Sequence, residues 1–99
     1  MAHRVARRAT VDLDEIWYYV ATESASVEIA NRLIESITHR FFLLAGHPHL
    51  GRRRDDDFGI GSRSFPVGEY VIVYCVENED VLILRVVHGR RDLEALFGS

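Results

Sequence analysis

Two apolar runs, Tyr70–Val76 (YVIVYCV) and Val81–Val87 (VLILRVV), constrain this chain more than any other feature. Only the short turn Glu77–Asp80 joins them, and strands joined so closely must pair antiparallel. Both runs are apolar at odd and even positions alike, so a sheet built from them needs cover on both faces. Ser62–Val67 gives a third, shorter strand signal. Its Pro66 has no amide hydrogen to donate and favours an edge or a strand end. Gly68-Glu69 makes the tight turn into Tyr70.

The first half of the chain supplies cover for one face. Leu13, Ile16, Trp17 and Val20 recur at helical spacing, and the pattern predicts a helix from about Val11 to Thr22. Thr10 is placed to cap it, with Asp12, Asp14 and Glu15 meeting its positive end. Ser24 or Ser26 can cap a second helix, whose stripe is Val27, Ala30, Ile34, Ile37, Phe41 and Leu44. Gly46 and Pro48 stop it. So short a joint predicts an antiparallel helical hairpin. Leu33, Phe42 and Leu43 widen the apolar face of the second helix beyond one partner. Upstream, His3–Arg7 alternates only weakly. Residues 46–61 read as a long polar loop, where Arg52-Arg53-Arg54 and Asp55-Asp56-Asp57 form a solvated, self-neutralising surface. The tail Asp92–Phe97 reads as one helical turn that can close part of the second sheet face. There are no repeats and no linker, and residues 1–99 form a single domain.

The composition narrows the function. No apolar run reaches a membrane span, and Met1-Ala2-His3-Arg4 does not begin a signal peptide, so the cytoplasm is the expected compartment. The lone cysteine, Cys75, lies in a buried-strand pattern and reads as packing. A net charge of −3 argues against a general nucleic-acid binder, and so against direct operator binding by this chain. Every basic residue other than histidine is arginine, clustered at 4/7/8, 52–54 and 90–91. Arginine's planar fork suits carboxylates and phosphates. Ser62 and Ser64 lack a nucleophile-elbow context, and there is no Walker-type loop. Consecutive aspartates do not reproduce a calcium loop, and His47-x-His49 lacks further zinc ligands. No metal and no cofactor is expected.

Several segments resemble a known family in their order and spacing. They are Asp12-Leu13-Asp14-Glu15-Ile16-Trp17, His47-Pro48-His49-Leu50-Gly51-Arg52, Arg63-Ser64-Phe65-Pro66-Val67-Gly68-Glu69-Tyr70, and Ile83–Leu93 (ILRVVHGRRDL). Together they resemble a ParE-type toxin of the ParE/RelE toxin–antitoxin superfamily over nearly the whole chain. The resemblance implies an α+β fold: an N-terminal strand, an antiparallel helical hairpin and a three-stranded antiparallel sheet (β-α-α-β-β-β), with a short C-terminal helical turn. It makes residues 3–9 the first strand. It also implies a small antitoxin partner in a hetero-oligomer. The activity implied is poisoning of DNA gyrase in the ParE branch, or ribosome-dependent mRNA cleavage in the RelE branch.

Cleavage at a 2′-hydroxyl needs a general base, a general acid and cations on the developing phosphorane. The ribonuclease branch carries an arginine after the tyrosine that opens the central strand; here Val71 follows Tyr70. It carries lysines on the preceding strand; here Ser62–Phe65 offers only Arg63. It carries a tyrosine in the tail; here the nearest position is Phe97. His88 and Arg91 remain as the candidate pair for that activity, and the gyrase-binding, non-catalytic reading is preferred over it and over a non-toxic remnant that only binds the antitoxin. Candidate target contacts are Arg63, Arg85, Arg90, Arg91, Leu96 and Phe97. Candidate antitoxin contacts are Trp17, Tyr18, Tyr19, Leu33, Leu43, Arg52 and Arg85. Arg85, embedded in an apolar strand, must either pair internally, with a carboxylate of the first helix, or face a partner. Three successive aromatics cannot share one helical face, so Trp17 joins the core stripe and at least one of Tyr18 and Tyr19 is exposed.

Overall fold

A computed structural model of the chain describes residues 1–90. In chain order the elements are β1 (His3–Val5), α1 (Arg7–Ser24), α2 (Val27–Gly46), β2 (Arg52–Arg53), α3 (Asp55–Phe58), β3 (Arg63–Val67), β4 (Tyr70–Glu77) and β5 (Asp80–His88). The α+β class and the expected succession of strand, helical hairpin and three antiparallel strands are present. The polar segment expected to be loop also holds β2 and α3. The expected helical turn Asp92–Phe97 lies outside the described residues.

The strands form one five-stranded sheet in the order β1-β5-β4-β3-β2. β3, β4 and β5 make an antiparallel meander. β2 extends one edge through Arg52↔Ser64 and Arg53↔Arg63. β1 closes the other edge parallel to β5, from His3↔Val81 to Val5↔Ile83. Pro66 pairs with Val71 on the β4 side, beyond the reach of the two-residue β2, where its missing amide hydrogen costs nothing.

The helices lie on one sheet face. Ala9, Ile16, Ile37, Phe41 and Leu44 pack there against Tyr70, Ile72, Tyr74, Val81, Ile83 and Val86. A bulge in β5 sets this packing. Val73 faces Arg85 but Tyr74 faces Ile83, so Leu84 is the extra residue. One added residue reverses the alternation, and Ile83 and Val86 both reach the helix-side core. Val73 and Val87, at the alternate positions, are buried as well, as strands apolar on both faces require.

Three local expectations are corrected. α1 starts at Arg7, a turn earlier than expected, and neither Thr10 nor any other side chain caps it. The Ala6 amide donates to the Ile83 carbonyl at 2.8 Å, so the chain turns into the helix directly off the sheet. Arg7 and Arg8 therefore occupy the first turn, and Asp12, Asp14 and Glu15 lie beyond it. Val27, expected in the core stripe, is exposed because it opens α2 at the hairpin tip. The first strand covers His3–Val5 rather than residues 3–9. Ser26, by contrast, caps α2 as expected, its Oγ accepting from the Ile29 amide at 3.2 Å.

The loop after α2 is pinned by Tyr74. Its hydroxyl donates to the Pro48 carbonyl at 2.9 Å and accepts from the Gly51 amide at 2.8 Å. Burial pushes this phenol above its ordinary pKa, with the Gly51 amide and Arg63 opposing. A Cβ on Gly51 would stand 2.6 Å from the Tyr74 hydroxyl and 2.8 Å from the Ser64 carbonyl, so only glycine fits. The adjacent charge runs neutralise each other as expected: Arg53 meets Asp55 at 2.7 Å and Arg54 meets Asp57 at 3.5 Å. The Gly61 amide, and then Arg53, hold the Asp55 carboxyl below the usual range.

The β4–β5 turn places Asn78 and Glu79 at φ 52° and 66°, the left-handed region that two-residue hairpins need and that non-glycine residues adopt at a cost. Replacing Glu79 by glycine is expected to raise stability by about 0.5–1 kcal/mol, and Glu79→Val to lower it by a similar amount. Urea midpoints of the two variants check this.

Candidate functional site

The one buried carboxylate among the described residues, Asp12, sits where β1 runs out beside β5. Past Val5, β5 has no strand on that side, and its Val86 amide would be left unpaired. Asp12 Oδ2 accepts that amide at 2.9 Å. The same carboxylate takes a two-point contact from Arg85, with Nε at 2.8 Å from Oδ2 and Nη2 at 3.2 Å from Oδ1. Arg8 Nε, one helical turn before it, lies 3.6 Å from Oδ1. Asp12 is only 4% exposed, and desolvating a carboxylate so far is tolerable only with this many donors. Of the two readings open for Arg85, the internal pair with a carboxylate of the first helix is the observed one. Its side chain retains 26% exposure.

A cavity of about 260 Å³ opens beside this knot, lined by Arg8, Asp12, Glu15, Ile16, Tyr19, Tyr70, Arg85 and Val86. Its two arginines and two carboxylates sum to zero formal charge, so it does not select an ion by charge alone.

The other candidates are scattered. Trp17 is half-buried and its indole N–H donates to Asn31 Oδ1 at 2.7 Å, which spends it on holding α1 to α2. Tyr18 is 70% exposed and Tyr19 48%, so both tyrosines face outward. Leu33 is half-buried against the core, and Leu43 is exposed. Arg52 is exposed on the edge strand β2. Arg63 donates to the Gly51 carbonyl at 2.8 Å and the His49 carbonyl at 3.4 Å, a structural use. Arg90 is exposed just past β5. Arg91, Leu96 and Phe97 lie outside the described residues. His88 stacks edge-on against Tyr70, with ring centroids 5.4 Å apart, and its Nε2 is 3.9 Å from Glu69.

Reading α1 as capped at Thr10 hid the role of Asp12. A signal was available: Asp12 falls four residues before Ile16 and three after Ala9, on the apolar stripe, and the one charge in the β5 run is an arginine. A buried acid on a helix stripe and a buried base in a strand ask for each other.

Cys75 behaves as packing. Burial, with help from Glu77, pushes its thiol above the ordinary value, while Arg4 opposes. The thiolate is the nucleophile, so alkylation by iodoacetamide at about pH 8 is expected to run several-fold slower than for a free cysteine. A rate equal to that of the free amino acid would contradict this.

Removing one member of the buried pair should be severe. Asp12→Ala is expected to cost about 3–5 kcal/mol, because Arg85 and the Val86 amide lose their acceptor. Adding Arg85→Met should recover part of that loss. Urea unfolding of the two single variants and the double variant would check it, and equal stability of Asp12→Ala and the double variant would count against the pairing.

Comparison with known proteins fits this fold. The family model for the ParE toxin of type II toxin–antitoxin systems, parDE, matches residues 4–93. Toxin ParE3 of Caulobacter vibrioides is 37% identical over 98 residues, which cover 97% of this chain and 96% of that protein. Toxin ParE1 of the same organism is 32% identical over 96 residues, covering 97% of each. Among solved structures, the chromosomal ParDE TA system from P. aeruginosa superposes with a TM-score of 0.76 at 21% identity, over 89% of this chain and 95% of that one. The toxin–antitoxin complex RelBE2 from Mycobacterium tuberculosis gives 0.66 at 23% identity, over 88% and 95%. These two likenesses speak to the fold. With a family model spanning most of its length and full-length relatives above 30% identity, the chain belongs to the ParE toxin family of type II toxin–antitoxin systems.

Proposed function

We propose that this toxin arrests growth by binding DNA gyrase, without a catalytic step of its own, and that a cognate antitoxin neutralises it. One observation favours this over RNA cleavage. The cations that the second half of the chain would offer a phosphorane are largely committed to internal partners. Arg85 is held on Asp12, Arg63 on two loop carbonyls, and Arg54 on Ser64 and Asp57. Val71 stands where the ribonuclease branch has an arginine, and Phe97 has no hydroxyl to exchange a proton. His88 is packed edge-on against Tyr70, with its Nε2 3.9 Å from Glu69. Of the target contacts expected from the sequence, Arg90, Arg91, Leu96 and Phe97 are then the ones to keep.

The antitoxin reading rests on family membership and on charge. Leu33, Arg40 and Leu43 share one flank of α2 by helical spacing, and exposed Arg52 follows on β2. An acidic amphipathic antitoxin segment fits such a flank, with its apolar side on the leucines and its carboxylates on the arginines.

The test is plasmid cleavage with purified gyrase, ATP and the antitoxin-free toxin. Linear plasmid is expected to accumulate once the protein is denatured. Intact plasmid and normal supercoiling with folded toxin would defeat the reading. Ribosome-dependent mRNA cuts abolished by His88→Ala or Arg91→Ala would replace it with the RelE-like one.

A further inference from the structure

The sheet face turned away from the helices carries a recess of its own, between β2 and the β3–β4 pair. Arg52 stands across from Ser64, and Pro66 across from Val71, and cross-strand partners share a face. The helix-side core takes the alternate residues, Phe65, Val67, Tyr70 and Ile72. The recess holds about 350 Å³, and Leu50, Arg52, Arg54, Ser64, Pro66 and Val71 are among its lining residues.

Its chemistry has two parts. Leu50 is 51% exposed, and with exposed Pro66 and half-buried Val71 it makes an apolar side. Two arginines make the other. Arg52 is exposed and has no ion-pair partner among the described residues. Arg54 Nε donates to Oγ of buried Ser64 at 2.8 Å, which fixes its guanidinium at the recess. No carboxylate is among the described lining residues, and the acid paired at the rim is Asp57, 3.5 Å from Arg54.

The sheet edge beside the recess excludes one mode of binding. The Arg54 amide donates to the Ser62 carbonyl at 2.8 Å, so Ser62, and by alternation Ser64 and Pro66, turn their main-chain groups toward the β2 side. Beyond the two residues of β2, the next such position on that edge is Pro66, which has no amide hydrogen. A partner therefore docks here through side chains and not by extending the ladder.

We propose that this recess receives an acidic peptide segment, with an apolar side chain against Leu50, Pro66 and Val71 and a neighbouring carboxylate on Arg52. Charge and shape select the occupant together. A phosphate alone would leave the apolar side uncovered, and an apolar side chain alone would desolvate Arg52 without a partner. A carboxylate matches the arginine fork at two points. The inference rests on the antitoxin reading and extends it. The segment that lies on Leu33, Arg40 and Leu43 crosses the β2 edge and continues onto the opposite face of the sheet, so the antitoxin grips both faces.

The probe is the small acidic protein that co-purifies with the toxin from its own operon. Its binding to the separated toxin is titrated at about 50 mM and about 200 mM salt. The unmodified toxin is compared with Arg52→Glu and Leu50→Asn, both at exposed positions, and circular dichroism with a urea midpoint confirms that each is folded. Arg52→Glu is expected to weaken binding roughly tenfold at low salt and less at high salt. Leu50→Asn is expected to weaken it by about tenfold at both salts, because its contribution is apolar. If the folded variants bind as the unmodified toxin does, the recess is not the docking site and the inference is overturned, while the antitoxin reading stands. A loss confined to Arg52→Glu would reduce the contact to a surface charge and overturn the recess as well. If no small protein co-purifies, the antitoxin reading falls and takes this inference with it.

Discussion

The carboxylate of Asp12 does the work of a missing strand. β1 is only three residues long and leaves the outer edge of β5 unpaired beyond Ile83, where a bulge has already disturbed the ladder. An unpaired edge amide beneath a helix would cost stability and could recruit a stray strand. Asp12 reaches down from α1, accepts the Val86 amide, and is itself neutralised by Arg85 one residue earlier. One side chain therefore fixes the height of α1 over the sheet, closes the edge and holds the bulged segment in phase. The helix-side core follows from that phase, because Ile83 and Val86 pack together there only if Leu84 is the extra residue.

This arrangement explains an otherwise unfavourable helix start. α1 has no side-chain cap and carries two arginines at its positive end, which opposes the helix dipole by roughly 0.3–1 kcal/mol per charge. The Ala6–Ile83 hydrogen bond forces the chain into the helix immediately after β1. Arg8 then finds its compensation one turn on, at Asp12. Tertiary geometry overrides the local preference, as happens where a short strand and a helix share a corner.

Much of the fold was legible in the sequence because it is written in periodicity. The stripe of α2, its Ser26 cap, the Gly46–Pro48 stop, the paired apolar strands and the edge position of Pro66 all follow from spacing and turn chemistry. What was not legible was set by contacts far apart in the chain. β1 is too short to show alternation and exists through pairing with β5, over seventy residues away. β2 is two residues of arginine that no propensity marks as strand, held by β3 and by the Tyr74 hydroxyl that pins the loop before it. Val27 fits the stripe numerically but lies past the end of the sheet. For the candidate site the sequence named Arg85 and left its partner open. The dipole reading of Asp12, Asp14 and Glu15 treated them as one group, whereas one is buried and two are solvated.

That division among three neighbouring acids follows from the fold, because the carboxylate on the buried stripe is the one that the open edge of β5 takes up. Asp12 is buried on Arg85, while Asp14 and Glu15 stay solvent-exposed on the same helix. Exposed arginines lie on the hairpin as well, Arg7 and Arg8 on α1 and Arg32 on α2, besides Arg52 on β2 and Arg90 after β5.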